Sequence, residues 1–132
     1  MSGDTTNWTD LREFKAVDLA QSYVLSWHID AGALLVDTDL YLLPEHALYE
    51  KPRPSEKACY RPAYIEFPYC TRVDAGGKGG DKAITDAVRQ LGSGRIAGFM
   101  RTGEGRYEMR GEFGTVAIDA GRPMLRLKHT RA

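Results

Sequence analysis

Three things are scarce in this 132-residue chain: cysteine, net charge and long apolar runs. Only two cysteines are present, Cys59 and Cys70. That is too few for a disulfide scaffold, and a chain of this length buries enough surface to do without one. Eighteen basic residues balance eighteen acidic ones. The missing basic excess argues against a nucleic-acid footprint and against a polybasic membrane surface. The longest strongly apolar run, residues 31–36, is far too short to span a bilayer. Residues 1–10 are polar and acidic and lack the basic start and apolar stretch of a secretory leader, so the expected location is the cytoplasm. Length points to a single domain over 1–132, with residues 1–14 peripheral.

What is present is alternation. Tyr23, Leu25, Trp27 and Ile29 fall on one parity, and Val24, Ser26, His28 and Asp30 on the other. After a turn, Leu34, Val36, Thr38, Leu40 and Leu42 alternate with Leu35, Asp37, Asp39, Tyr41 and Leu43. Period-two patterning over so many residues predicts two half-buried strands in an antiparallel hairpin. A loop with an even residue count sets Ile29 against Leu34 and Trp27 against Val36. An odd loop sets acids beside Trp27, and a one-residue slip flips every side chain, so the even register is expected. The local sequence Ile29-Asp30-Ala31-Gly32 also suits a type I turn with a glycine bulge, which is odd. Asp-Ala-Gly recurs at Asp30, Asp74 and Asp119, and is read each time as turn chemistry.

Four prolines between Pro44 and Pro62 interrupt the pattern and predict a long connection. A short strand follows over 63–67, then a glycine-rich break over 76–80. Asp81 to Leu91 reads as an amphipathic helix, with Asp81 as N-cap, Ile84, Ala87, Val88 and Leu91 on one stripe, and Gly92 as the stop. Short strands with glycine turns fill 95–128. The expected fold is mainly β (α+β): an antiparallel meander forming a barrel or strongly bent sheet, with the one helix at about 81–91.

Candidate chemistry falls in three places. His28, Asp37 and Asp39 share a hairpin face in the even register, and Glu45 and His46 follow closely in sequence. Carboxylates with imidazoles suit a divalent metal or acid–base work, although no recognised ligand spacing occurs and no metal is assigned. The bland alternative is an outward polar face. Lys78, Gly79, Gly80 and Lys82 lie where a glycine loop enters the expected helix, a place that favours anions, but the P-loop spacing is absent. The Pro- and Tyr-rich connection carries Tyr49, Arg53 and Tyr60, residue types enriched at interaction hot spots. The arginines from Arg95 to Arg126 alternate with glutamates and read as cross-strand ion pairs.

No complete catalytic motif is present and no cofactor is implied, so the sequence favours a binding or accessory module over an enzyme. Its expected partner is another protein or a second copy of itself, held by the Pro- and Tyr-rich loop. The alternative is a small-ligand binder or enzyme with a polar site at the barrel mouth, built on His28, Asp37 and Asp39.

Overall fold

The computed structural model describes residues 6–46, 59–75, 88–89 and 91–127, with backbone only for Glu13, Cys59, Ala75 and Leu127. Among them nine strands form one antiparallel sheet: β1 (Thr6–Asn7), β2 (Val17–Asp30), β3 (Ala33–Leu42), β4 (Cys59–Phe67), β5 (Arg72–Ala75), β6 (Gly94–Gly103), β7 (Arg106–Gly111), β8 (Gly114–Asp119) and β9 (Met124–Leu127). The order across the sheet is β5-β8-β7-β6-β2-β3-β4-β9, with β1 added on β6. The expected closure into a barrel is not found. Among the described residues no ladder joins the end strands β5 and β9.

The chain itself requires the sheet to fold over. Residues 68–71 link β4 to β5, and 120–123 link β8 to β9. Each link joins strands six places apart in the order, a separation of roughly 29 Å in a flat sheet. Five Cα steps reach at most about 18 Å. The β4 end must therefore lie over the β5 end, and the side chains agree. Phe67 on β4 meets Phe99 on β6 at 6.0 Å and Tyr107 on β7 at 5.6 Å between ring centroids. Two 3-10 turns, Trp8–Asp10 and Arg12–Phe14, cross the N-terminal side, and Phe14 packs edge-on against Phe99 at 5.2 Å. The core is the space between the two halves, filled by Leu19, Leu34, Leu40, Ile65, Phe67, Phe99 and their neighbours.

The β2–β3 hairpin has the even register. Ile29 pairs with Leu34 and Trp27 with Val36, across the two-residue loop Ala31-Gly32. Both loop residues have positive φ, 52° and 82°, the backbone of a type I′ turn that matches strand twist. Trp27 is buried, donates Nε1–H to the Gly92 carbonyl at 2.7 Å and meets Phe113 edge-on at 5.4 Å.

Several expectations need correction. Tyr23 and Leu25 do not join Trp27 inside. A bulge at Leu25 pairs Val24 with Thr38 and Ser26 with Asp37, so Val24 turns inward while Tyr23 and Leu25 turn out. The strand also begins earlier, at Val17. A second irregularity at 19–22 hid that segment, because it buries a serine: the Ser22 hydroxyl donates to the Asp18 carbonyl at 2.8 Å and accepts the Tyr41 N–H at 2.9 Å, filling the gap in the ladder. Pro62 lies inside β4, which begins at Cys59. Among the described residues β9 covers β4 from Ala63 to Glu66 and does not reach Pro62, and a strand edge tolerates the missing N–H.

Of the three Asp-Ala-Gly segments, Asp30 opens a hairpin turn within the described residues. Asp74 is a buried β5 residue paired with Arg72 at 2.7 Å, and Asp119 ends β8. Most of the helix expected over 81–91 lies outside the described residues. Within them, Val88 and Arg89 are helical, and the Leu91 N–H bonds the Val88 carbonyl at 3.1 Å in a single tight turn. No long helix is part of the described fold; Val88 is buried in the core.

Candidate functional site

The hairpin's period-two pattern sorts its side chains cleanly. Leu34, Val36, Thr38, Leu40 and Leu42 of β3 are buried, and Leu35, Asp37, Asp39 and Tyr41 face out. Register then fixes which neighbours join them on the outer face. Tyr23 of β2 lies beside Asp39, and beside Arg95 of β6 on its other side. Tyr60 of β4 lies beside Tyr41, and Tyr64 beside Asp37. The rings meet: Tyr41 and Tyr60 are edge-on at 5.4 Å, and Tyr23 and Tyr60 are 6.2 Å apart. Leu25 at the bulge adds a half-exposed leucine (51 %) to the same face.

The electrostatics of this patch follow from its geometry. Burial raises the Asp39 carboxyl above its usual range. Burial also raises the Tyr60 phenol, with further contributions from Tyr23, Tyr41 and Asp39, and Arg95 opposes them. The guanidinium of Arg95 donates Nε–H to the Ala20 carbonyl at 3.2 Å, which anchors this cation at the rim of the tyrosines.

The sequence-derived acid and imidazole cluster is only partly assembled. The Ser26 hydroxyl lies 2.9 Å from His28 Nε2 and donates to Asp37 Oδ2 at 3.3 Å, so serine bridges imidazole and carboxylate. In a nucleophilic triad the imidazole stands between the other two and takes the serine proton. Here that proton goes to Asp37 instead, so the row is a solvated hydrogen-bond chain. Asp39 lies two residues further along β3, beside Tyr23. Glu45 and His46 follow the far end of β3, where Leu42 pairs with Val17. The seven steps from Leu35, opposite His28, to Leu42 span about 23 Å, too far for joint ligation with His28. Among the described residues no three His, Cys, Asp or Glu side chains are placed to hold a metal ion. Tyr49, Arg53, Lys78, Gly79, Gly80 and Lys82 lie outside the described residues. Cys70 is free and buried, and burial pushes its thiol pKa up.

Sequence reasoning missed two hollows on the N-terminal side. The larger, about 410 Å³, lies under the 3-10 turns and is walled by Trp8, Leu11, Phe14, Val17 and Leu43. The smaller, about 170 Å³, is walled by Arg12, Arg101 and Arg122 with Asp10. Neither touches His28, Asp37 or Asp39. The only sequence signal for the second was an arginine, Arg101, on the same parity as the apolar Phe99.

Comparison of the chain with protein-family models, with curated proteins and with solved structures found no match. No described helix is long and apolar enough to cross a membrane.

Proposed function

We propose that this chain is a cytosolic binding module that works through protein–protein contacts, and that the partner its outer β2–β3–β4 face fits is a second copy of itself. The observation that carries the reading is the exposed aromatic patch of Tyr23, Leu25, Tyr41 and Tyr60 on strands whose other face is fully committed to the core. Tyrosine gives large contact area with few rotatable bonds, and it is enriched at the centres of interfaces. The patch carries both signs of charge, Asp39 within it and Arg95 on its rim. Under a two-fold axis, Asp39 of one copy can meet Arg95 of the other, the self-complementary arrangement a symmetric dimer needs. β3 ends at Leu42 and β4 begins at Cys59, so Tyr41 and Tyr60 stand where the chain leaves and rejoins the sheet.

Sedimentation velocity across a concentration series tests the reading. The expected result is a monomer–dimer equilibrium that the combined change Leu25→Ser and Tyr60→Ser moves toward monomer. Both residues point outward, so the variant should keep its fold, checked by its melting curve. A wild-type protein that stays monomeric at several hundred micromolar overturns self-association.

A further inference from the structure

The small hollow on the N-terminal side has a composition that dimerisation through the outer face does not use. It lies between the 3-10 turns and the inner ends of β6 and β7. Arg101 stands across from Thr6 of β1 on one side and Tyr107 of β7 on the other. Its parity is that of Phe99, so its side chain enters from the core face, where apolar residues belong. Its Nε is buried and has no hydrogen-bond partner. A buried donor left unpaired is costly, more so on a charged group, and native structures rarely keep one without a reason. Arg12 and Arg122 wall the same space, with Asp10 as the one carboxylate among the described lining residues. Among the described lining residues, three guanidinium groups face one carboxylate around about 170 Å³. A cavity of roughly 150 Å³ holds a benzene-sized guest, so the hollow is sized for a phosphate or a short carboxylate.

We infer that this hollow is a binding site for a small oxyanion, a phosphate or carboxylate group, clamped by Arg12, Arg101 and Arg122. Planar guanidinium forks match both groups in bidentate fashion, which is why arginine serves better than lysine here. The incoming anion supplies the acceptor that the Arg101 Nε–H lacks and offsets the like charge of the three side chains. The site is on the N-terminal side of the fold and does not depend on the proposed dimer face.

The test uses inorganic phosphate and succinate as probes, with sodium chloride at matched ionic strength as control. The side-chain Nε–H resonance of Arg101, assigned by its loss in Arg101→Lys, should shift on titration with at least one probe and not with chloride. The same probe at ten times its dissociation constant should raise the melting temperature by about 5 °C. Arg12→Gln and Arg122→Gln, both at exposed arginines, should each weaken binding tenfold or more. Arg126→Gln, which removes a cation paired with Glu66 elsewhere on the sheet, should leave it unchanged. A response to phosphate alone assigns a phosphate group and to succinate alone a carboxylate, and either supports the site. An unmoved Arg101 resonance with both probes, or equal binding by Arg122→Gln and wild type, overturns it.

Discussion

Folding the sheet over brings β4 against β6, and a double-mutant cycle on Phe67 and Phe99 puts a number on that contact. In a flat sheet of this strand order the two strands are three places apart, about 14 Å. Residues so far apart and without shared partners act additively, within about 0.5 kcal/mol. In the folded sheet the two rings lie 6.0 Å apart and tilted by 53°, and both are fully buried. Such ring pairs contribute about 0.5–1.5 kcal/mol beyond the area they bury. Alanine at either position would cost about 3–5 kcal/mol and leave little of the total to measure. Leucine keeps each site apolar and mostly filled, and should cost about 1–2 kcal/mol by the area lost. The assay is equilibrium urea unfolding of wild type, Phe67→Leu, Phe99→Leu and the double variant, with m-values compared. The double variant should lose about 0.5–1.5 kcal/mol less than the two singles together. Additivity within about 0.3 kcal/mol at unchanged m-values refutes the folded sheet.

Three further outcomes are expected. Gly111→Ala should destabilise by about 2–4 kcal/mol in the same assay, because an added Cβ runs into the Arg95 carbonyl and lies 2.6 Å from the Phe113 ring that packs on Trp27. Thr38→Val should cost about 1–2 kcal/mol, since it removes the buried donor to the Ala63 carbonyl at 2.8 Å and keeps the shape. Asp39→Asn should stabilise dilute protein at pH 7 by a few tenths of a kcal/mol, the range of partly exposed positions. The sign follows from the raised carboxyl pKa: the folded state prefers the protonated acid, so wild type loses stability as pH rises through the folded value. The advantage of the asparagine should vanish below the ordinary value of 3.8, and a constant advantage down to pH 3 would contradict it.

The parts of the fold legible in the sequence are those where one signal acts alone. Trp27, Val36 and Leu34 follow strict alternation beside a two-residue loop, and their register is as the pattern requires. Leu25 fails because a bulge adds one residue, and period-two reasoning has no term for an inserted residue. Pro62 reads as the last proline of the long connection, yet it lies inside β4, paired with Asp39 of β3. Folding over rather than closing is a consequence of the two four-residue links, and their meaning needs the strand order, which the sequence does not carry. The site divides in the same way. That His28, Asp37 and Asp39 face outward together followed from register, whereas the distance to Glu45 and His46 followed from strand length. The tyrosine patch draws on three strands and the arginine hollow on four separate segments, so neither is visible as a run of residues.

Small-angle X-ray scattering measures directly whether the outer tyrosine face joins two copies. A compact chain of this length has a radius of gyration of about 14 Å, and a compact pair about 18 Å. The radius should rise from the lower value toward the higher as concentration increases, and should not rise in the Leu25→Ser, Tyr60→Ser variant. A radius that stays near 14 Å throughout the wild-type series would contradict it.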